Sequence, residues 1–153
     1  MATEVVNRQR RVRIERGRIA QLADQALEAV GRPDATITVV FVRDAAIRRL
    51  NRDYRGKDVS TDVLSFPANQ DWASSGGLAQ PGWDGVAQRA YLGDVVISAD
   101  TAISQAQESC YSFDREVSEL VIHGVLHLCG YDHETDRGEM NRMELRLRRK
   151  LLE

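Results

Sequence analysis

The stretch Asp114–His133 reads DREVSELVIHGVLHLCGYDH. From Val117 its apolar residues, Val117, Leu120, Val121, Ile122, Val125, Leu126 and Leu128, occupy most of the circumference of a helix running from about Asp114 to Leu128. A helix that is apolar nearly all round belongs in an interior, so the rest of the chain has to wrap it. Upstream, Tyr91–Ser98 reads as a buried strand, with Ser98 or Asp100 capping a helix through about Glu108. Thr36–Val42 is β-branched and apolar on both faces, the pattern of a strand covered on each side. Ile19, Leu22, Ala23, Ala26, Leu27 and Val30 form a helical stripe that Gly31, Arg32 and Pro33 end. Asp44 is placed to cap a short helix carrying Ala46, Ile47 and Leu50, and Asp62–Phe66 reads as a strand stopped by Pro67. Val12 and Ile14, alternating with Arg11 and Arg13, suggest a short first strand. Arg137–Leu151 closes the chain as an amphipathic helix with Met140, Met143, Leu147 and Leu151 inward. The expected class is α/β or α+β, with a small mixed sheet of about four strands and about five helices.

Composition narrows the field further. The 153 residues make one domain's worth of chain, 1–153, with 42% hydrophobic and 29% charged residues, which excludes a disordered protein. A net charge of -2 excludes a globally basic nucleic-acid coat but leaves room for local basic patches. Two cysteines, Cys110 and Cys129, are too few for a disulfide scaffold. No apolar run approaches the roughly 20 residues of a membrane span, and the arginine-rich N-terminus lacks the apolar core of a secretory signal. The expectation is a soluble, cytoplasmic, monomeric protein. Residues 67–90 are rich in glycine without periodicity, a loop expected to be functional or mobile. Its Trp72 and Trp83 either pin it to the body or offer stacking surfaces for bases.

All three histidines of the chain fall within eleven residues, His123, His127 and His133. His123 and His127 leave one face of the helix four residues apart, and Gly130 can take the left-handed conformation that turns the chain back. Three ligands with an open fourth position is how catalytic zinc is held, so a metal site of His123, His127 and His133 is expected. Imidazole ligands favour one zinc ion per chain, with nickel, iron or copper as alternatives. The spacing is that of the metzincin proteases, but their general-base glutamate is Gly124 here. A peptidase would need a displaced base; Asp132, Glu134 or a substrate phosphate are the candidates to take the proton.

The segment HGVLHLCGYDH (123–133) resembles the signature H-G-x-L-H-L-x-G-Y-D-H of the YbeY family, bacterial rRNA maturation factors described as single-strand-specific, zinc-dependent endoribonucleases. LNRDYRGK (50–57) with TDVLSFP (61–67), and LGDVVIS (92–98), agree as well. The resemblance covers most of residues 37–145. It implies a metal-bearing central helix packed on a four-stranded mixed sheet and flanked by other helices. It implies single-stranded RNA as substrate, in particular the 3′ end of 16S rRNA, and as partners the small ribosomal subunit with its assembly proteins. Arg55 matches the family's functional arginine, with Lys57 nearby. A guanidinium can grip two oxygens of a phosphodiester as negative charge builds on them. The chain departs from the family at Ser60, where a proline is common, and in the length of the 67–90 loop.

Two basic runs, Arg8–Arg18 and Arg142–Lys150, either track an RNA backbone or are plain solvated faces. Cys129 is expected as a small buried hydrophobe pointing away from the metal. Besides the nuclease, two other functions fit the residues: a metal-dependent hydrolase of another bond, and a ribosome-assembly factor with a structural metal.

Overall fold

The computed structural model describes residues 3–68, 90–132 and 134–153. Four strands, β1 (Glu4–Asn7), β2 (Ala35–Val42), β3 (Val63–Pro67) and β4 (Ala90–Ser98), form one mixed sheet in the order β1-β2-β4-β3. β1, β2 and β4 run parallel, and β3 returns antiparallel along β4. The described residues form five helices: α1 (Arg16–Ala29), α2 (Asp44–Arg55), α3 (Ala99–Ser109), α4 (Phe113–Leu128) and α5 (Glu139–Leu152). The fold is α+β, as expected.

The period of two along each strand sorts the core into two layers. Ile37, Val39 and Phe41 of β2, with Val95 and Ile97 of β4, meet α1, α4 and α5 on one face. Val40, Val42, Val96, Leu64 and Phe66 meet Ile47 of α2 on the other. Both central strands are therefore buried on both sides, which is why their sequences are apolar throughout.

Helix α4 is the hub, packing against α1, α3, α5, β3 and β4. It comes unusually close to β4 at Gly124, where an added Cβ would lie 2.5 Å from Val95 Cγ1. Position 124 thus faces the sheet and has no room for any side chain. The glutamate of the metzincin pattern is excluded there by packing.

Three local expectations are corrected. The first strand is Glu4–Asn7, not Val12–Ile14. Residues 9–12 form a turn instead, held by the buried Gln9 side chain: its amide donates to Asn7 Oδ1 (2.8 Å) and to the Val12 carbonyl (2.8 Å), and its oxygen accepts from Val12 N–H (3.1 Å). The alternation of Val12 and Ile14 reflects which residues pack on the core, not a ladder. Asp44 does not cap α2; Arg43 occupies that position in extended conformation and Asp44 is the first helical residue. The Asp44 N–H donates to Asp100 Oδ2 at 2.8 Å, so α2 is capped from α3 across the fold. Of the two proposed caps of α3, Ser98 serves, its Oγ accepting from Thr101 N–H. At both ends of the 67–90 stretch the structure differs from this expectation, since Pro67 and Ala90 belong to strands; residues 69–89, with Trp72 and Trp83, lie outside the described residues.

Candidate metal centre

The C-terminal end of α4, the edge strand β3 and the end of α2 surround an open groove of about 370 Å³. Arg55, Ser65, His123, His127, Asp132 and Glu134 are among its walls. α4 ends as the sequence suggests: Gly130 takes φ 98°, its N–H bonds to the His127 carbonyl at 3.0 Å, and Tyr131 N–H bonds to the Leu126 carbonyl at 3.0 Å. This turn delivers Asp132 and Glu134 to the groove. His133 lies outside the described residues.

His123 and His127 point their Nε2 atoms at one another, 3.1 Å apart, with the rings nearly perpendicular at 74°. Two ring nitrogens do not approach this closely lone pair to lone pair; a proton or a cation has to lie between them. Two nitrogens about 2.0–2.1 Å from a tetrahedral zinc stand about 3.3 Å apart, close to the separation seen. The donor set therefore fits the metal. Among the described residues no third histidine, cysteine, aspartate or glutamate completes the set.

Behind His123 stands a residue that the sequence reading passed over. Glu144 of α5 accepts from His123 Nδ1 at 2.7 Å. A carboxylate only accepts, so the proton of His123 sits on Nδ1 and its Nε2 keeps the lone pair, the arrangement of a carboxylate–histidine–metal triad. Burial raises the Glu144 carboxyl, but the hydrogen bond from His123 and the charge of Arg148 outweigh that and hold it below the ordinary glutamate range. Arg148 bonds Glu144 Oε2 at 2.6 Å and lies 3.4 Å from Glu119 Oε1, while Arg115 bonds Glu119 Oε2 at 2.7 Å. A chain of alternating charge thus runs from α4 through α5 to the histidine. Its trace in the sequence is a glutamate four residues after Met140 and three before Leu147, on the face that should be apolar. Asp136 fixes the start of α5 by accepting from Met140 N–H at 2.8 Å, which sets the height of Glu144.

On the opposite wall, Gly56 ends α2 at φ 71°, with Gly56 N–H bonding the Arg52 carbonyl and Lys57 N–H bonding the Asn51 carbonyl. Buried Asn51 donates to the Val59 carbonyl at 3.0 Å, and Tyr54 meets Phe66 edge-on at 5.7 Å, tying the end of α2 to β3. Arg55 is thereby turned to the groove, and among the described residues it pairs with no carboxylate. Its neighbours are engaged: Arg52 with Asp53 and Arg48 with Asp58. Lys57, one residue beyond Gly56, is exposed and outside the groove wall. Cys129 is half-buried against the core, and burial raises its thiol above the ordinary range, with Arg32 opposing.

The family model described as Endoribonuclease YbeY matches residues 4–153. The chain belongs to the YbeY family. It is 41% identical over 149 residues to the Endoribonuclease YbeY of Geobacter metallireducens, covering 97% of this chain and 92% of that one. It is 47% identical over 117 residues to that of Solibacter usitatus, covering 76% and 67%. The solution structure of the Thermotoga maritima protein TM1509 shares the fold, with a TM-score of 0.56 at 24% identity over 95% of this chain and 85% of that one. No helix among the described residues is long and apolar enough to cross a membrane.

Proposed function

We propose that this YbeY-family chain is a zinc-dependent endoribonuclease that cleaves single-stranded RNA, working as a cytoplasmic monomer on the 3′ end of 16S rRNA and on defective ribosomes, beside small-subunit assembly proteins. The observation that carries the chemistry is the convergence of His123 and His127 Nε2 in a groove that Arg55, paired with no carboxylate among the described residues, also lines. His123, His127 and His133 would hold the ion. Zinc, when bound, supplies Lewis acidity and lowers the pKa of water.

The protein groups do the rest. Glu144 keeps the His123 proton on Nδ1 and the ring in place. Arg55 binds two non-bridging oxygens of the scissile phosphodiester and steadies the charge that grows there as water attacks phosphorus. A new P–O bond forms and the P–O ester bond breaks. The proton of the water passes to Asp132 or Glu134, the groove carboxylates, and the carboxylic acid so formed returns it to the departing oxygen. Peptide hydrolysis has less support, because its usual base position is filled by the contact of Gly124 with Val95.

The test compares a labelled single-stranded RNA, the same sequence as a duplex, and a peptide panel, each with the zinc-loaded chain. Cleavage confined to the single strand is the expected result. Peptide cleavage with intact RNA would overturn the proposal.

A further inference from the structure

Helix α5 carries a cationic face that this reaction does not use. Its inner face is set by Met140, Leu147 and Glu144. Arg142, Arg146 and Arg149 recur at intervals of four and three on the opposite side, with Lys150 beside them, and all four are exposed. Around Leu145, 43% exposed, they border an open hollow of about 450 Å³.

Of the nearby acids, Glu139 and Glu153 share this side by helical spacing, while Glu144 does not. Glu139 is held by accepting from Arg137 N–H, Glu144 faces His123, and Glu153 lies past the helix end. Arg142 reaches the Arg137 carbonyl at 3.4 Å. Among the described residues none of the four cations pairs with a carboxylate; Arg13, Arg18, Arg48 and Arg52 do, while Arg10, Arg16 and Arg49 do not. Arg148, from the same run, is turned inward to Glu144. The helix dipole accounts for Arg149 and Lys150 in the last turn, but Arg142 stands near the end where a cation is disfavoured. In a chain of net charge -2, four exposed cations that pair with no carboxylate among the described residues outnumber the acids of their face and make it locally positive.

We propose that the outer face of α5 is a second RNA site, a backbone dock that holds single-stranded RNA outside the groove; it rests on the endoribonuclease assignment. At 1.5 Å per residue, Arg142 to Lys150 spans about 12 Å, enough for about two or three phosphates. A membrane surface fits less well, because the apolar face of α5 is already buried in the core and Leu145 alone is apolar outside.

The experiment uses the full chain with Arg142→Gln, Arg146→Gln and Arg149→Gln together, after its melting temperature is matched to the unsubstituted chain. Binding of labelled single-stranded RNAs of about 4 and about 20 nucleotides is followed against salt with chelated protein, and cleavage with zinc restored. The dock predicts about a tenfold weaker binding of the long RNA at low salt. It also predicts a salt slope smaller by about 2, from roughly 0.7 per lost phosphate contact. Cleavage of the short RNA stays unchanged, and Arg→Lys replacements at the same positions restore the slope. An unchanged slope on the long RNA, or equal losses on both lengths, would overturn the dock. So would loss of binding to phosphatidylserine vesicles with RNA binding intact, which would assign the face to a membrane. If the unsubstituted chain binds long RNA through this face yet cleaves neither RNA, the dock stands and the nuclease assignment fails.

Discussion

Glu144→Gln keeps the shape of the side chain but removes the charge that fixes the His123 tautomer. An amide can present its NH2 as readily as its oxygen, so His123 is freed to protonate either nitrogen. Carboxylates behind metal-ligating histidines typically contribute 10–100-fold in affinity, and zinc binding should weaken by about that factor in competition with a chelator. Unchanged affinity would reduce Glu144 to a packing role. Arg55→Ala removes one positioned donor pair from the groove. It should lower kcat on single-stranded RNA by about 10²–10³-fold with zinc content unchanged. Arg55→Lys should restore only part, since an ammonium cannot grip two oxygens in one plane. If Arg55→Ala cleaves normally at full zinc content, its catalytic role is gone.

At the scale of elements, two contacts set the frame of the site. Gly124→Ala would push a methyl group into Val95, and overpacking of this kind costs about 1–3 kcal/mol. Thermal melting should show the loss, and Val95→Ala in the same chain should recover part of it; no recovery would mean the contact is not what limits position 124. Asp100 joins the segment before α1 and the start of α2 to α3. Burial opposes its charge, but hydrogen bonds from Arg43 at 2.9 Å, from Asp44 N–H and from Arg11 at 2.6 Å outweigh that and hold its carboxyl at about 2, below the ordinary 3.8. A value lowered by folding contributes stability that is full above the ordinary value and is lost as pH falls toward 2. Because both arginines are about half exposed, screening trims the contribution to on the order of 1 kcal/mol. Asp100→Asn should lower the melting temperature by about 2–4 °C at neutral pH and by much less near pH 2. An equal loss at both pH values would show that the charge is not what matters.

Most elements were legible because their periodicity and their end signals agree. Thr36–Val42, the stripe from Ile19 to Val30 and the apolar α4 each carry one pattern with one structural solution. Val12–Ile14 misled because alternation records burial, and burial here is met by a turn built on Gln9. Asp44 misled because the cap of α2 comes from Asp100, 56 residues away, which no local signal encodes. The same holds for the site. Spacing reveals the histidine pair, but the Glu144 behind it arrives on a separate helix 21 residues on.

At the scale of the whole molecule, two apolar layers pack on either face of the sheet, and neither includes a histidine. The chelated chain should therefore stay folded and melt cooperatively, with its far-UV circular dichroism unchanged. Collapse on chelation would make the metal structural and favour an assembly factor over an enzyme. The most direct measurement pairs zinc content with cleavage of a labelled single-stranded RNA on the same samples. These are the chain as isolated, after chelation, with zinc restored, and carrying His123→Ala. A zinc-dependent endoribonuclease built on His123, His127 and His133 predicts one zinc per chain and cleavage that is lost and regained with the ion. It predicts neither zinc nor cleavage in His123→Ala. Full cleavage by the chelated chain, or intact RNA with one zinc bound per chain, would contradict it.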